Sequence, residues 1–347
     1  MALNVKDFKQ VTDYPDYKPS KDEMTKIGYV ADRFIDMQQA RTIVDKDWDT
    51  YQRMVEALYE PYPDERSSSV VPLASSLIEL YVADAIKIST EYIIKSETSE
   101  YDSSAKALDY VWKYDRRKQK RKKTFVDNEY VVAAFGTSVI YTGFETYNVT
   151  QKDPIIGDDM KLTWEESTFN DDKIIVKNVD IRQFYIDNTA IEGIDDAVDC
   201  IYEQWISFEK FQQYKNSPVY KNVDKVKPRQ YDNDYRTFIT EEEQTKYGDY
   251  VKLRHYWNVE KDAYMVIAND GVLIREHPMT STIDGKKALP FAVRVLGKKS
   301  YSIYGRGICE ALMMFNSEVN NLRELLMDGI RRSNTQVLAL GNGLSFD

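Results

Sequence analysis

The end of the chain has a strongly periodic pattern of apolar and polar positions. Apolar residues recur there at steps of three or four, which places them on one stripe of a helix. The stripe consists of Ile308, Leu312, Phe315, Val319, Leu322, Leu326 and Ile330, and the opposite face carries Glu310, Ser317, Asn321, Glu324 and Asp328. We predict a helix over residues 306–333, roughly 42 Å long at ~1.5 Å per residue, whose apolar side needs another surface to pack on.

The first part of the chain also has helical periodicity. Ser20 precedes Glu23 by three positions, the sequence signature of a capping box, and this predicts a helix start. Apolar residues then follow at helical spacing as far as Ala40. Further helices are predicted over 47–59, 72–88 and 103–123, the last continuing or restarting as far as residue 135.

From Gly136 the pattern changes to the β-branched and aromatic runs that are typical of strands. The predicted strands are 138–142, 161–164, 174–179, 184–186, 198–205, 250–259, 264–268 and 272–275. The last two form a hairpin around Asn269-Asp270-Gly271, a turn sequence that tolerates positive φ. Ser207 predicts the cap of a short helix over 208–214, and the polar residues 216–248 predict a flexible or partner-dependent excursion.

This order of elements predicts an α+β protein rather than an alternating α/β fold. The predicted parts are an extended arm over 1–20, a helical part over 21–135, a β-rich part over 136–300, the long helix over 301–333 and the start of a further element over 334–347.

The composition is that of a globular protein, with 42% hydrophobic and 30% charged residues in a chain of 347. No run of 18 apolar residues occurs, so we expect no transmembrane helix and no membrane partner.

Two cysteines, Cys200 and Cys309, are too few for a disulfide framework or a multi-cysteine metal site, and a reducing, intracellular setting is expected. The net charge of −10 argues against a protein that grips DNA through many phosphate contacts.

The common catalytic signatures are missing from the sequence. It contains no P-loop, no G-x-S-x-G nucleophile elbow and no H-E-x-x-H zinc motif. We therefore predict no catalytic residue, no cofactor and no metal. His255 is interpreted as a partly buried strand histidine, because no second ligand lies at a recognisable spacing.

Two further patterns point towards ligands but have simpler explanations. Asp45, Asp47 and Asp49 match the first ligand positions of an EF-hand loop, but Thr50 stands where that loop needs glycine and the segment has a helical pattern. Gly305-Arg306-Gly307 precedes a helix and suggests a phosphate-binding turn or, more simply, a flexible turn.

One dense basic run stands out in this acidic chain. It comprises Arg116, Arg117, Lys118, Lys120, Arg121, Lys122 and Lys123. Such a run faces nucleic acid, faces an acidic partner, or forms a solvated helix face, and the sequence leaves all three open.

Four segments carry a family resemblance when they are taken in order. Residues 133–141 pass from helix to strand through a Gly-Thr step, and 179–187 form a strand that ends in Asp187 and precedes the acidic loop 194–197. The third segment is Leu289-Pro290-Phe291 followed by residues 302–307. The fourth is 315–323, in which a polar residue and then an asparagine come directly before Leu322. Over roughly residues 70–347, their order and spacing resemble the wing and first stem helix of the portal proteins of tailed bacteriophages.

The resemblance implies a closed ring, dodecameric in virions, through which double-stranded DNA is packaged and ejected. In such a ring each stem helix meets neighbouring copies, so the apolar stripe need not find its partner within one subunit. The implied interface residues are Leu312, Phe315, Val319, Leu322 and Leu326, and the implied channel residues are Glu324, Asp328, Arg331 and Arg332. Residues 334–347 would begin the clip.

The same resemblance implies partners and a location. The partners are the terminase motor, the major capsid protein and head–tail adaptor proteins, and the location is the portal vertex of the virion after assembly in the host cytoplasm. ATP hydrolysis would belong to the motor, so the chain itself would not be an enzyme.

Two alternatives stay open at the level of sequence. One is a metal-dependent nucleic-acid enzyme that uses carboxylates such as Asp45, Asp47 and Asp49, and the other is a different viral structural scaffold whose long helix packs on another partner. The enzyme hypothesis predicts a monomer or small oligomer with metal-dependent activity. The portal hypothesis predicts a cyclic assembly of about twelve copies.

Overall fold

The structure is a computed structural model that describes residues 17–58, 70–87, 93–156, 162–191, 193–229, 249–283 and 285–334. It confirms the predicted α+β fold: helices come first, strands occupy the middle, and one long helix follows. The helices are α1 (Lys21–Val55), α2 (Leu73–Lys87), α3 (Asp102–Lys118), α4 (Arg121–Phe135), α5 (Phe208–Gln212) and α6 (Ile308–Asn334). The strands are β1 (Thr137–Ile156), β2 (Leu162–Val179), β3 (Phe184–Ile186), β4 (Asp199–Ser207), β5 (Tyr250–Asn258), β6 (Ala263–Ala268), β7 (Val272–His277), β8 (Thr282–Ile283), β9 (Lys286–Lys287) and β10 (Phe291–Val295).

The chain forms two compact units, and each combines segments that are distant in sequence. The first holds the described residues within Met1–Thr42, Ser138–Arg294 and Ser300–Ile303. The second holds those within Ile43–Thr137, Val295–Lys299 and Tyr304–Asp347. The units therefore do not follow the sequential division predicted above.

A five-stranded antiparallel sheet, in the order β3-β4-β5-β6-β7, forms the centre of the first unit. The first turns of α1 cover it, and Val30, Phe34 and Met37 pack with sheet residues such as Ile201 and Tyr256. The capping box predicted for α1 is confirmed. The backbone N–H of Ser20 donates to Glu23 Oε2 at 3.0 Å, and the N–H of Glu23 donates to Ser20 Oγ at 3.2 Å.

Helix α1 is one continuous helix, so the predicted break between residues 40 and 47 is wrong. The residue that made the apolar pattern seem to stop is Arg41, a buried cation in the middle of the helix. The guanidinium of Arg41 donates to the carbonyl oxygens of Ile181, Arg182 and Phe184 and lies 3.8 Å from the centroid of the Tyr185 ring. These contacts hold inside the unit a polar residue that in the sequence looks like the end of an apolar pattern.

Strands β1 and β2 form a long antiparallel ribbon, with Val139 opposite Val179 at its base and Ile156 opposite Leu162 at its tip. The sequence predicted only its ends, because the polar middle lacks the alternation of a half-buried strand. Strand β10 pairs with the base of β1, where the N–H of Thr142 donates to Pro290 O at 2.9 Å. Beyond Thr142 the ribbon has two strands.

Two other local predictions need correction. Residues 217–229 pack within the first unit rather than forming a flexible or partner-dependent excursion, since Val223 and Val226 are buried and Lys221 N–H donates to Ile274 O at 2.7 Å. The rest of that excursion, 230–248, lies outside the described residues. Ser207 does precede α5, but its side chain makes no capping hydrogen bond. The Asn269-Asp270 turn is confirmed, with φ of 46° and 64° at the two residues.

In the second unit, α2 and α4 pack on each other, and both contact α6. Helix α2 buries Ala74, Ile78 and Val82, and α4 buries Val132, Ala133 and Ala134 together with Asn128 and Glu129. Helix α3 packs on α4 through a sharp bend at Gln119 and Lys120, where Lys120 has φ of 52°. The predicted helix over 103–123 thus ends earlier, at Lys118, and a second helix begins at Arg121.

Candidate assembly surfaces

Helix α6 begins at a close crossing of two backbone segments. The N–H of Gly305 donates to Thr137 Oγ1 at 2.7 Å, and Gly305 and Gly307 are buried against the backbone around Gly136. A Cβ on Gly307 would lie 2.5 Å from the carbonyl oxygen of Ala134. The two glycines are therefore required by close packing, and neither a phosphate-binding turn nor a flexible turn describes them.

The first turns of α6 are fixed in place by polar and aromatic contacts within the second unit. Cys309 is buried and its Sγ lies 3.8 Å from the carbonyl oxygen of Tyr51, while the rings of Tyr304 and Trp48 pack edge to face at 5.4 Å. Burial raises the pKa of the Cys309 thiol to about 12, so the thiol stays neutral. This half of the helix is anchored.

The face of α6 that packs on its own unit is not the predicted apolar stripe. The buried residues are Cys309 and Asn316, and Asn320 Oδ1 accepts a hydrogen bond from the N–H of Val71 at 2.9 Å. At about 100° of rotation per residue, this face lies roughly a quarter turn away from the stripe through Leu322 and Leu326. Most of the stripe is consequently left for another partner.

The stripe residues differ in how far their own unit covers them. Leu312 and Val319 are half-buried, whereas Phe315, Leu322 and Leu326 are exposed at 54%, 67% and 64%. The structure adds Met314 and Leu325, exposed at 76% and 69%, which sequence reasoning missed. Both lie roughly 100–120° around the helix from Leu326 and nearer to Asp328, so they are outside the stripe. An angular plot of every apolar residue, rather than of the three-and-four steps alone, would have found them.

After Asn320, α6 has no buried residue as far as Ser333. Large apolar side chains are nonetheless frequent there, and the exposed ones are Leu322, Leu325, Leu326, Met327 and Ile330. A lone helix of about fourteen residues is marginal in water, because its stability comes mainly from packing of an apolar face. This second half of the helix therefore lacks the cover that its sequence demands.

The predicted channel residues lie together on the side of α6 opposite the stripe. Glu324 and Asp328 are half-exposed, and Arg331 and Arg332 are exposed in the final turns. Glu310, at the start of the same face, is already engaged by Lys299 Nζ at 2.7 Å and Arg306 Nε at 3.3 Å.

The basic run lies where α3 ends and α4 begins, and its members differ in role. Arg121 is a structural residue, since its guanidinium pairs with Asp115 and lies 4.6 Å from the centroid of the Trp112 ring. Arg116 is half-buried. The exposed members are Arg117, Lys118, Lys120, Lys122 and Lys123.

No protein-family model matches the chain, and no curated protein sequence matches it either. Its function must therefore be inferred from its own surfaces.

The residues considered for catalysis do not come together. Asp45, Asp47 and Asp49 all lie within α1, where Asp45 and Asp47 are about 200° apart around the helix axis, so the three cannot converge on one ion. No cluster of His, Cys, Asp or Glu suited to a metal is found among the residues that the structure describes. His255 lies in β5 and its Nδ1 is 2.8 Å from the Tyr264 hydroxyl oxygen.

Within the described segments, no helix is both long enough and apolar enough to span a bilayer.

Proposed function

We propose that the chain assembles into a portal-type ring, in which the apolar face of α6 packs against neighbouring copies and its acidic face lines a passage for double-stranded DNA. The observation that carries this proposal is the second half of α6, where the stripe residues Leu322, Leu326 and Ile330 are exposed at 67%, 64% and 46%.

The energetics favour a partner for this face. Burying a large aliphatic side chain contributes about 1.5–3 kcal/mol, so covering the three stripe residues would contribute on the order of 5 kcal/mol per copy. That is comparable to the lower end of the free energy of unfolding of a typical domain. In a ring, each helix gains such cover from the copies on either side.

The polar face supports a conduit rather than a tight DNA-binding surface. Glu324 and Asp328 would repel phosphates along most of the passage, and Arg331 and Arg332 would form a narrow basic ring at the helix end. DNA that is repelled by most of the wall and touched only locally can slide. The overall charge of −10 agrees with this arrangement.

The remaining features of this function come from the family resemblance. The ring would have about twelve copies, sit at the capsid vertex of the virion and bind the terminase motor, the major capsid protein and head–tail adaptor proteins. The chain would act as a structural channel, with the chemistry of packaging supplied by the motor. A different viral scaffold that uses the same α6 face remains the second candidate, and copy number separates the two.

A matched pair of substitutions in α6 tests the interface. Leu322→Asp places a charge on the exposed stripe, while Asn321→Asp places the same charge one residue away, on the polar side. We expect Leu322→Asp to abolish the ring peak in light-scattering chromatography and Asn321→Asp to retain it. A ring of normal mass with Leu322→Asp would show that this face is not the interface.

A further inference from the structure

The outer side of α3 carries cations and tyrosines but no acid. Buried Ala105 and half-buried Trp112 mark the inner side, and at about 100° per residue Tyr114 lies opposite them. The exposed residues within about 80° of Tyr114 include Lys106, Tyr110, Arg117 and Lys118. Both acids of residues 103–118, Asp109 and Asp115, lie at least about 100° from Tyr114 around the axis and are half-buried.

The two acids of α3 are already engaged. Asp109 Oδ2 lies 2.7 Å from Lys113 Nζ, and Asp115 accepts from Gln119 Nε2 at 2.7 Å and pairs with Arg121. The lysines that form no ion pair with another residue that the structure describes are Lys106, Lys118, Lys120, Lys122 and Lys123. Their charges are therefore available to a partner.

The bend between α3 and α4 brings several of these cations together. The N–H of Lys120 donates to Arg117 O at 3.1 Å, and the N–H of Lys123 donates to Lys120 O at 2.8 Å. Like charges held this close repel one another. In addition, α4 begins with Arg121, Lys122 and Lys123 and has no acid in its first turn, although the helix dipole favours acids at that end. Folding alone does not account for this cluster.

The exposed cations form a row rather than a ring around one point. From Lys106 to Lys118 the helix is roughly 18 Å long at ~1.5 Å per residue, and the cations of the bend continue the row. A compact anion is held by cations that converge on it, whereas a row of cations matches an extended polyanion. Duplex DNA is such a polyanion, with one charge per ~1.7 Å of its axis.

Tyr110 and Tyr114 favour nucleic acid among the extended polyanions. They lie about one turn apart and are exposed at 75% and 59%, and Lys118 Nζ is 5.8 Å from the centroid of the Tyr114 ring. A tyrosine hydroxyl donates to phosphate oxygens, and such contacts are frequent in complexes with DNA. A helix on a membrane surface buries a broad apolar face, whereas here Arg117 and Lys118 flank the tyrosines on either side.

We propose that the outer side of α3 and the adjoining bend bind the phosphate backbone of double-stranded DNA without regard to its sequence. We call this surface the basic face; its cations are Lys106, Arg117, Lys118, Lys120, Lys122 and Lys123. A convex helix lies against a duplex, whereas proteins that hold single strands use a groove. The contact goes beyond the proposed channel, because it lies on a different helix from α6 and needs no ring.

The number of cations sets the expected salt dependence. If five of the six contact phosphates, log K falls with log salt concentration with a slope of about −4.5. Binding then weakens about 500-fold between 50 and 200 mM salt. Such a contact holds DNA by charge alone and lets it slide.

Neutralising part of the basic face tests the contact. The variant carries Lys118→Gln, Lys122→Gln and Lys123→Gln, and glutamine has nearly the helix propensity of lysine, so the fold is kept. Fluorescence anisotropy of a short labelled duplex is measured in the Leu322→Asp background, so that assembly through α6 does not enter. With two contacts left, we expect the slope to fall to about −1.8, so that binding weakens only about tenfold over the same salt range.

A matched control separates this face from net charge. Lys210→Gln, Lys215→Gln and Lys227→Gln remove three exposed lysines of the first unit and change the net charge equally. We expect this control to keep the slope of the parent chain. An equal loss of slope in both variants would show a general effect of charge and would overturn the proposal.

The other outcomes are equally decisive, and none depends on copy number, so the ring and the DNA contact succeed or fail separately. A parent chain that does not bind the duplex at 50 mM salt overturns the contact, as does an unchanged slope in the basic-face variant. Displacement of the labelled duplex by poly-glutamate as readily as by unlabelled duplex assigns the face to an acidic protein and also overturns it.

Photo-cross-linking provides an independent measurement. Cys200 and Cys309 are buried, so Tyr114→Cys introduces an accessible thiol on the basic face, and Lys215→Cys introduces one outside it. Each thiol is labelled with an azidophenacyl group and irradiated with the duplex bound. We expect a protein–DNA product from the label at position 114 and little from the label at position 215. Equal yields from the two positions would contradict the proposed contact.

Discussion

Gly136 and Gly307 approach so closely that a Cβ on Gly136 would lie 2.5 Å from the backbone nitrogen of Gly307. Gly136 ends α4 with φ of 82°, and its carbonyl oxygen accepts from the N–H of Leu296 at 3.0 Å. This crossing fixes where α6 begins and therefore where its exposed half projects. Gly307, one of the two glycines that suggest a phosphate turn in the sequence, is thus required by close packing.

Gly136→Ala should destabilise the chain by at least ~2 kcal/mol, because it combines left-handed backbone strain with a clash against backbone that cannot rotate away. The measurement is the free energy of unfolding from urea titration. Gly329→Ala is the matched control: it lies inside α6 with open space around the added methyl group, and it should be neutral or stabilise by up to ~1 kcal/mol. Equal effects of the two substitutions would refute the close crossing.

His255 should make the stability of the first unit depend on pH. Burial, and then the positive charges of Lys177 and Arg275, lower the pKa of His255 to about 3. The unfolded chain takes up a proton near pH 6.5, whereas the folded chain does not until about pH 3, so stability is complete above pH 6.5 and is lost as the pH falls through this window. The expected slope is about 1.4 kcal/mol per pH unit between about pH 6 and 4.

His255→Phe removes this titration while keeping a ring that can stack between Tyr202 and Trp257. We expect the slope between pH 6 and 4 to flatten, measured by chemical denaturation in the Leu322→Asp background so that assembly does not enter. The same slope in both proteins would mean that His255 is protonated in the folded state.

The acidic face of α6 should limit the affinity of the ring for DNA. Reversal by Glu324→Lys together with Asp328→Lys should tighten binding of a short duplex and steepen its salt dependence, because more phosphate counterions are released. Fluorescence anisotropy at several salt concentrations measures both. Glu318→Lys, an exposed change to one side of that face, should have a much smaller effect; if it matches the double variant, the passage has been assigned to the wrong side of the helix.

The sequence was sufficient for most of the element order because capping and periodicity are local. Ser20 and Glu23 mark the start of α1, and the positive φ values at Asn269 and Asp270 follow from turn residues. The joining of α1 across Arg41 could not be predicted, since the carbonyls that satisfy its guanidinium come from residues about 140 positions away. The polar middle of the ribbon has no pattern that distinguishes it from a loop.

The candidate interface was predicted in part. The spacing of Leu322 and Leu326 gave the apolar stripe, but it could not show that Cys309, Asn316 and Asn320 form the face that packs within the chain. Asparagines that pack at a helix contact do not contribute to the apolar periodicity by which a buried helix face is recognised in a sequence. Their partners, such as the N–H of Val71, are set by tertiary structure.

The mass of the purified chain, measured by light scattering and viewed by negative-stain electron microscopy, tests the proposed ring most directly. We expect a closed particle of about twelve copies with a central hole. A single 40.5 kDa chain at all concentrations, with the Leu322 face of α6 exposed to solvent, would contradict it.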